Sequence, residues 1–373
     1  MSVDVKTFKE LEVEVQGAGI CGRCSGCVAF CSAGEFNALS TSDDGSPVMV
    51  DESRCLHCGI CYLVCPQVKT LDQELKRKLD WKAPVGAQRE LVSARAVSRR
   101  IRSAATDGGV VTALLAYGLR KHLIEAAIVS RQSGPFTREA MVATSADELI
   151  EAAGSHFEDS HTVRRLGERY TTFSPGAREV KSLGKRDLHK VALVGTPCQI
   201  FTIRKMQLLN VLPADSVVLA IGLFCMETFS FGAKVRRDLE RKLSVKLGQI
   251  RKLNIKDDVI VIAANKEVLH IPFSVMDGYA RQACFACTDF ASEYADISCG
   301  GIGSPEGYTT TILRTTVGET IYNRAREDHA IEELGFRTPG QRRDAGTEMM
   351  AKIVAATRRK QARAAARTRG EAS

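Results

Sequence analysis

Eight cysteines near the N-terminus form two runs with the same spacing. Each run reads C-x2-C-x2-C-x3-C, and the two runs are Cys21, Cys24, Cys27 and Cys31, then Cys55, Cys58, Cys61 and Cys65. Three cysteines in one short loop can hold one side of a [4Fe-4S] cube, and in paired runs the fourth cysteine ligates the other cluster. The spacing therefore predicts one cluster on Cys21, Cys24, Cys27 and Cys65 and a second on Cys55, Cys58, Cys61 and Cys31.

Zinc sites and disulfides are the alternatives for these cysteines, and the pattern favours neither. Zinc sites are typically built from separated C-x2-C pairs, and a cytosolic chain keeps its thiols reduced. Gly22, Gly26 and Gly59 are expected to let the loops turn towards the clusters. Ser32 stands where proline usually follows the run, so we expect a changed loop end without loss of a ligand, and His57 is a spacer. Fully ligated clusters carry single electrons, so this segment is predicted to conduct them.

Five further cysteines lie in the rest of the chain. Cys198 follows a predicted strand, Cys225 ends another, Cys284 and Cys287 form a C-x2-C pair, and Cys299 comes twelve residues later. From spacing alone three interpretations remain open: a third cluster on four of these cysteines, a redox-active dithiol at the C-x2-C pair, or unrelated buried thiols.

Two glycine-rich segments could contact a phosphate or a flavin. Asp107-Gly108-Gly109 precedes a predicted helix, whose first amides suit an anion, and residues 299–307 contain four glycines. Neither segment has the G-x-G-x-x-G pattern after a strand, so a Rossmann nucleotide site is not predicted. Simple turns are the alternative.

Length and composition limit the class of protein. With 373 residues, the chain exceeds one typical domain and indicates two domains and a tail. Its 44% hydrophobic and 26% charged residues are usual for a globular protein. The longest apolar run, from Val217 to Met226, is about ten residues, below the roughly 18 needed to span a bilayer. We expect no secretory signal and a cytoplasmic protein, and we set aside secreted disulfide scaffolds, transmembrane proteins and disordered chains.

The apolar pattern after residue 86 predicts alternating strands and helices. Buried strands are expected at residues 126–129, 190–195 and 216–223, and hairpins over 249–271. A helix is expected over 72–81, another is expected to be capped by Asp107, and a third to begin at Pro197. These elements predict an α/β domain with a mixed sheet, joined to the cysteine-rich segment by a linker at residues 82–86.

The positive charge of the chain is concentrated at its C-terminal end. Residues 349–373 contain seven Lys or Arg residues and one acid, Glu371, which is +6 of the total +8. A helix is predicted from Met349 to about Arg367. It is either a solvated terminus or a docking element for an acidic subunit or an anionic membrane surface. Because residues 1–348 are nearly neutral, nucleic-acid binding is not expected.

The ordered motifs of the chain resemble the coenzyme F420 hydrogenase/dehydrogenase beta-subunit family, with a ferredoxin-like domain in front. The matching segments are residues 106–115, 169–175, 195–199, 222–225, 284–290 and 295–305. The resemblance implies a two-[4Fe-4S] ferredoxin-like domain at residues 1–82, a mixed-sheet flavin-binding α/β domain at 83–340 and a basic helical tail at 341–373.

Site residues follow from this resemblance position by position. It implies a third [4Fe-4S] cluster on Cys198, Cys225, Cys284 and Cys287, with Cys299 a packed thiol. It also implies FAD near Gly108, Gly109, Thr112, Gly303 and Ser304, and basic side chains, with Arg169 and Arg281 as candidates, for the anionic deazaflavin F420. The sequence departs from the family at Arg169, where lysine is common, at residues 155–167, which look inserted, and at Asp257-Asp258, where two acids would repel the anionic coenzyme.

The function implied is that of an electron-transfer subunit. A hydride passes between coenzyme F420 and FAD, and single electrons pass through three [4Fe-4S] clusters to or from a partner subunit. Such a partner would be a hydrogenase, a dehydrogenase, a heterodisulfide reductase or a membrane proton pump. The alternative is an FAD and iron–sulfur adaptor that serves another donor or acceptor and has no deazaflavin site.

Overall fold

The structure is a computed structural model in which most of the chain is described. The described residues are 5–33, 35–42, 45–134, 137–154, 159–160, 169–171, 176–232, 250–255, 259–263, 267–272 and 278–370, with single positions between 237 and 275. Among these residues no helix is both long enough and apolar enough to cross a membrane.

The N-terminal part, which we call the head (residues 5–81), is built from short elements around the two cysteine runs. Its helices and strands are α1 (Phe8–Leu11), α2 (Gly26–Ala33), β1 (Leu39–Thr41), β2 (Pro47–Met49), α3 (Ile60–Leu63) and α4 (Asp72–Lys78). β1 and β2 form an antiparallel hairpin. Phe8, Leu11 and Val28 are buried beside several of the cysteines, so the thiols are part of this small core.

The rest of the chain, which we call the body, is organised on one mixed sheet. In the described residues this sheet has nine strands, in the order β16-β3-β15-β14-β9-β8-β4-β5-β6. These strands are β3 (Glu90–Ala96), β4 (Ala126–Gly134), β5 (Thr137–Ala143), β6 (Asp159–Ser160), β8 (Val191–Gly195), β9 (Val217–Leu223), β14 (Ile297–Gly300), β15 (Thr309–Leu313) and β16 (Ile331–Glu333). The predicted α/β architecture with a mixed sheet is confirmed.

Two smaller antiparallel sheets and several helices also belong to the described body. The strands are β7 (Arg169–Thr171) with β10 (Ser230–Gly232), and β11 (Ile250–Ile255), β12 (Val259–Ala263) and β13 (Val268–Ile271). The helices are α5 (Arg99–Ala104), α6 (Val110–Arg120), α7 (Ala146–Glu151), α8 (Pro197–Leu208), α9 (Thr316–Glu327) and α10 (Pro339–Thr368). The β11–β13 meander confirms the hairpins predicted over residues 249–271.

The sheet is buried on both faces because helices cover each side. Along β4, Ala127 and Val129 belong to one hydrophobic cluster, whereas Ala126 and Ile128 belong to another. Successive side chains of a strand point to opposite faces, so the two clusters lie on opposite sides of the sheet. Continuous apolar strands of this kind are typical of sheets covered on both faces.

Two helix starts differ from the sequence prediction. The N-cap of α6 is Gly109, in the left-handed region with φ 77°, and no side chain caps the helix, so the prediction of a cap by Asp107 was wrong. The C-terminal helix starts at Pro339, ten residues before the predicted Met349, with Thr338 as its N-cap. Proline at the first turn and threonine at the cap are the usual signals for the start of a helix, and both are present here.

Candidate functional site

The two cysteine loops of the head share one backbone conformation. In the first loop Arg23 and Ser25 have positive φ, 51° and 61°, and in the second His57 and Gly59 have φ 50° and 72°. These residues occupy equivalent positions, directly before and directly after the second cysteine of each run. The repeated spacing thus produces a repeated geometry, and in the first loop non-glycine residues adopt the left-handed turn.

This geometry corrects the role expected for two glycines. A Cβ on Gly22 would meet nothing within 4 Å, and neither Gly22 nor Gly26 has positive φ. A Cβ on Gly26 would instead lie 2.3 Å from the Cγ2 methyl of Thr202, on body helix α8. Gly26 therefore allows the head to approach the body closely.

The ends of the two loops differ as the sequence predicts. α2 continues through Ser32 to Ala33, whereas α3 ends at Leu63, two residues before Cys65-Pro66. Proline disfavours helical conformation in the residue before it, and serine does not.

The thiols of the first predicted cluster face one another. The pKa of Cys27 lies well above its ordinary value because the residue is buried and because the thiols of Cys24, Cys65 and Cys21, and then that of Cys61, are close. Burial, with Cys24 and Cys21 as neighbours, raises the pKa of Cys65 to about 12. Cys65, the last cysteine of the second run, therefore lies with the first three cysteines of the first run, as the crossed pattern requires.

The second predicted cluster has the reciprocal grouping. Burial raises the pKa of Cys61 to about 12, and the neighbouring thiols that contribute to this shift are those of Cys58, Cys55 and Cys31. Cys58 is exposed. This group therefore reaches the protein surface.

Four of the body cysteines lie near one another at the carboxyl edge of the sheet. β8, β9 and β14 run parallel, so their carboxyl ends lie at one edge of the sheet. Cys198 comes just after β8 and Cys225 just after β9. Cys284 and Cys287 lie on and directly after a 3-10 turn over Gln282–Ala286, and this turn is tied to the same region because the amide of Thr228 donates to Cys284 Sγ at 3.4 Å.

The pKa shifts of these cysteines indicate that their thiols lie close to one another. Burial raises the pKa of Cys225 to about 12, with Cys284 and Cys287 as thiol neighbours. The pKa of Cys198 is raised by burial and by the thiols of Cys24, Cys287 and Cys225. In the described residues no three His, Cys, Asp or Glu side chains converge on a single metal ion. A four-iron cube instead holds its cysteines apart, one at each corner.

Cys299 is separate from this group. It is buried within β14, its Sγ lies 3.9 Å from Thr311 Oγ1, and burial raises its pKa to about 12 without a contribution from another thiol.

Helix α8 connects the body cysteines to the head. Cys198 lies in its first turn, and one turn later Thr202 Oγ1 lies 3.8 Å from Cys24 Sγ and donates to the carbonyl of Cys198 at 2.9 Å. Further along, the buried Lys205 donates to the carbonyl of Cys65 at 2.9 Å. One rigid helix therefore positions the body thiols against the first group of head thiols.

Helix α10 covers the body thiols from the other side. Lys360 is buried, and its Nζ donates to the carbonyl oxygens of Cys225 at 2.5 Å and Asp289 at 2.8 Å. Although burial alone would lower its pKa, the thiols of Cys287, Cys225 and Cys284 raise it above the ordinary value. The Lys360 side chain therefore lies beside the cysteine group.

The two glycine-rich segments lie side by side at the same sheet edge. A Cβ on Gly301 would lie 2.8 Å from a carboxylate oxygen of Asp107, and the Gly108 amide donates to Thr309 Oγ1 at 3.0 Å. Gly108 itself has room for no side chain, because a Cβ would lie 2.6 Å from the carbonyl of Ala94. The first turn of α6 starts here, beside the loop that follows β14.

The remaining residues predicted to bind flavin or F420 lie in different parts of the body, and some lie outside the described residues. Thr112 is buried in the first turn of α6. Gly303 (φ 93°) packs against Met349 of α10, and Ser304 Oγ lies 2.6 Å from Thr310 Oγ1. Arg169 begins β7, which pairs with β10. Asp257-Asp258 and the segments 155–158 and 161–168 lie outside the described residues.

Arg281 contacts the head. Its Nη2 donates to the carbonyl of Gly22 at 2.6 Å, and its charge acts on the neighbouring Cys21. The described contact of Arg281, a candidate for binding F420, is thus beside the first cysteine loop.

A buried acid joins the last residue of the head to the body. Glu293 Oε2 accepts from Trp81 Nε1 at 2.6 Å. Burial first, and then the nearby Asp289 carboxyl, raise the pKa of Glu293 to about 8. Nearby, the buried Arg314 donates to the carbonyls of Val85 and Ala87, both at 2.7 Å, and so fixes the linker on the body.

The raised pKa of Glu293 predicts a pH dependence of stability. A carboxyl whose pKa is higher in the folded than in the unfolded protein stabilises the fold at pH below its ordinary value of 4.5, and this contribution is lost as the pH rises through about 8. Glu293→Gln keeps an acceptor for Trp81 but cannot ionise. We expect wild type to lose on the order of a few kcal/mol of unfolding free energy between pH 5 and 8, and the variant much less. Anaerobic thermal unfolding at several pH values measures this, and equal slopes would refute it.

Comparisons with known proteins follow the same division of the chain. The family models for coenzyme F420 hydrogenase/dehydrogenase beta subunit match over residues 91–166 (N-term) and 188–337 (C terminus). The coenzyme F420 hydrogenase subunit beta of Methanothermobacter thermautotrophicus is 34% identical over 253 residues, which are 66% of this chain and 85% of that protein. The chain belongs to this family. A 4Fe-4S binding domain model also matches residues 48–68, which contain the second cysteine run.

Other members of the family extend the similarity. A subunit of the F(420)H(2) dehydrogenase of Methanosarcina mazei is 26% identical over 333 residues, 86% of each chain. A chain of the F420-reducing [NiFe] hydrogenase complex from Methanosarcina barkeri superposes with a TM-score of 0.59 at 28% identity, covering 73% of this chain and 92% of that one. The family resemblance inferred from the motifs is confirmed.

Sequence reasoning missed three residues of this region. Each contacts the thiol or the backbone carbonyl of a cysteine that is far away in the sequence. They are Thr202, Lys205 and Lys360. No local pattern marks Lys205, which lies between Arg204 and Met206 in α8.

Proposed function

We propose that this chain is the electron-transfer subunit of a redox complex, which exchanges a hydride between coenzyme F420 and FAD and relays single electrons through three [4Fe-4S] clusters. The observation that carries the proposal is the placement of the cysteines: Cys198 and Cys225 follow parallel strands at one sheet edge, Cys284 Sγ accepts from the Thr228 amide, and Thr202 Oγ1 of α8 lies 3.8 Å from Cys24 Sγ in the head. When bound, FAD converts between hydride and single-electron transfer, and the clusters carry single electrons. Membership of an F420-linked oxidoreductase family supports the same conclusion.

The cluster ligands follow from this placement of the cysteines. Each set consists of buried or half-buried cysteines, apart from the exposed Cys58. We assign Cys21, Cys24, Cys27 and Cys65 to the first head cluster and Cys55, Cys58, Cys61 and Cys31 to the second. Cys198, Cys225, Cys284 and Cys287 are assigned to the body cluster.

The FAD is proposed to lie at the carboxyl edge of the sheet, where ligands of open α/β sheets usually bind. The amides of the first turn of α6 have no side-chain cap and suit a phosphate. Gly108, Gly109 and Thr112 would contact the cofactor from α6, and Gly303 and Ser304 from the loop after β14. Arg169 is assigned to the same region on charge alone.

The order of the clusters follows from the contacts of α8. The body thiols and the first head group are linked through Cys198, Thr202 and Cys24, while the second head group includes an exposed cysteine. Electrons would therefore move between the sheet edge and the surface of the head in the order body cluster, first head cluster, second head cluster. The partner subunit would dock where Cys58 is exposed.

Reduced F420 tests the substrate directly. We expect anaerobic mixing of reduced F420 with the oxidised holoprotein to bleach the flavin absorbance and then to reduce the clusters. Protein reduced with dithionite serves as the reference for full bleaching. A full FAD complement that stays oxidised would remove F420 as the substrate and leave an adaptor for another donor.

A further inference from the structure

One buried face of helix α10 contacts the loop after β14, the region of the body cysteines and the head. Its buried residues are Met349, Ile353, Thr357, Lys360 and Ala364, at intervals of three or four residues, which defines one side of a helix. The helix begins at Pro339, just beyond residue 337, where the match to the family model ends.

The contacts of this face run from the sheet edge to the head. Met349 packs against Gly303 in the loop after β14. Arg363 pairs with the buried Glu227 and donates to the Met226 carbonyl at 3.1 Å. Arg367 donates to the carbonyl of Ala18, in the head, at 3.2 Å. Several of the cations that concentrate charge in residues 349–373 are thus used inside the molecule, and the described part of this segment is a packed helix, not a solvated terminus.

Lys360 is the cation that comes nearest to the body thiols. It is 2% exposed, and its two carbonyl acceptors belong to Cys225 and to Asp289, two residues after Cys287. A lysine is rarely buried unless its charge is compensated. The described acceptors are neutral carbonyls, so a negatively charged cluster on these cysteines would supply the compensation.

We propose that Lys360 is a buried counter-ion that raises the reduction potential of the body cluster, and that α10 serves to hold it there. The inference rests on the body cluster of the proposed function. A cluster with four thiolates is negatively charged and becomes more so when it gains an electron, so a fixed positive charge nearby favours the reduced form. Because the lysine is buried, water and salt screen it only weakly. Lys360 is thus a positioning and tuning residue outside the ligand set.

The test is a redox titration of the purified holoprotein, followed by EPR, with wild type, Lys360→Met and Lys360→Arg. The signal of the body cluster is the one that is missing from Cys198→Ser. Lys352→Met is the matched control, because Lys352 is an exposed lysine of the same helix that pairs with Glu348 at 3.0 Å. We expect the midpoint potential of the body cluster to fall in Lys360→Met, to stay near wild type in Lys360→Arg, and not to change in Lys352→Met. The head-cluster potentials should stay unchanged in all three.

Each outcome decides the proposal. An unchanged body-cluster potential in Lys360→Met with full iron content would overturn it. If Lys360→Met loses the body cluster, retention of that cluster in Lys360→Arg supports a role for the charge, and its loss in both variants contradicts one. Wild-type protein that keeps all three clusters but does not react with reduced F420 would remove only the proposed substrate. A wild type that lacks the body cluster would remove both.

Discussion

Replacing Cys198 with serine is expected to remove the body cluster and to disconnect the flavin from the head. The residue is half-buried, its thiol lies near those of Cys24, Cys287 and Cys225, and it lies in the first turn of the helix that leads to Cys24. Serine keeps the size of the side chain but is a much poorer iron ligand. The iron content should fall from about twelve to about eight per chain, because each cube holds four irons. Reduced F420 should still bleach the flavin, while the head clusters stay oxidised.

Cys299→Ser is the matched control for this experiment. Cys299 is also a body cysteine, but it is buried in β14 against Thr311 and has no thiol neighbour that affects its pKa. This variant should keep about twelve irons and normal reduction of the head. Equal iron loss in both variants would show that general damage to the fold explains the result, and full iron in Cys198→Ser would exclude Cys198 as a ligand.

Gly26→Ala is expected to disturb the junction between the head and the body. The added Cβ would lie 2.3 Å from the Cγ2 methyl of Thr202, a β-branched side chain that is fully buried and held by its bond to the Cys198 carbonyl. Overpacking of this kind typically costs about 1–3 kcal/mol. The expected result is a lower unfolding temperature and slower reduction of the head clusters, with the rate of flavin bleaching by reduced F420 unchanged.

A second substitution and a neighbouring glycine make this prediction specific. Thr202→Ser removes the clashing methyl but keeps the hydroxyl that faces Cys24 and Cys198, so it should restore much of the electron transfer in the Gly26→Ala background. Gly22→Ala is the control in the same loop, since its Cβ would meet nothing within 4 Å. If Gly26→Ala reduces its head clusters at the wild-type rate, the contact between Gly26 and Thr202 does not matter for electron transfer. If Thr202→Ser does not restore that rate, the damage in Gly26→Ala lies elsewhere.

The sequence predicted the local features of the site well because they depend on spacing. The crossed grouping of Cys31 and Cys65 follows from a repeated run of cysteines. The strands before Cys198 and Cys225 follow from short apolar stretches, and the helix at Pro197 follows from a proline start. Each of these depends on residues that are close in the chain.

The features that sequence reasoning missed depend on contacts between distant segments. Lys205 lies 140 residues from Cys65, and Lys360 lies 135 residues from Cys225. Neither pairing has a local pattern, and the alanine- and arginine-rich composition of α10 is that of a solvated helix. The role of Gly26 was also misjudged, because a glycine in a loop suggests a turn, whereas here its value is the space it leaves for Thr202.

The composition of the anaerobically purified protein tests the central claim most directly. Iron, acid-labile sulfide and flavin are measured per chain on the full-length wild type. The account predicts about twelve irons, about twelve sulfides and one FAD, from three four-iron cubes and one flavin site. A content of about eight irons, or protein that binds no flavin after incubation with FAD, would contradict it.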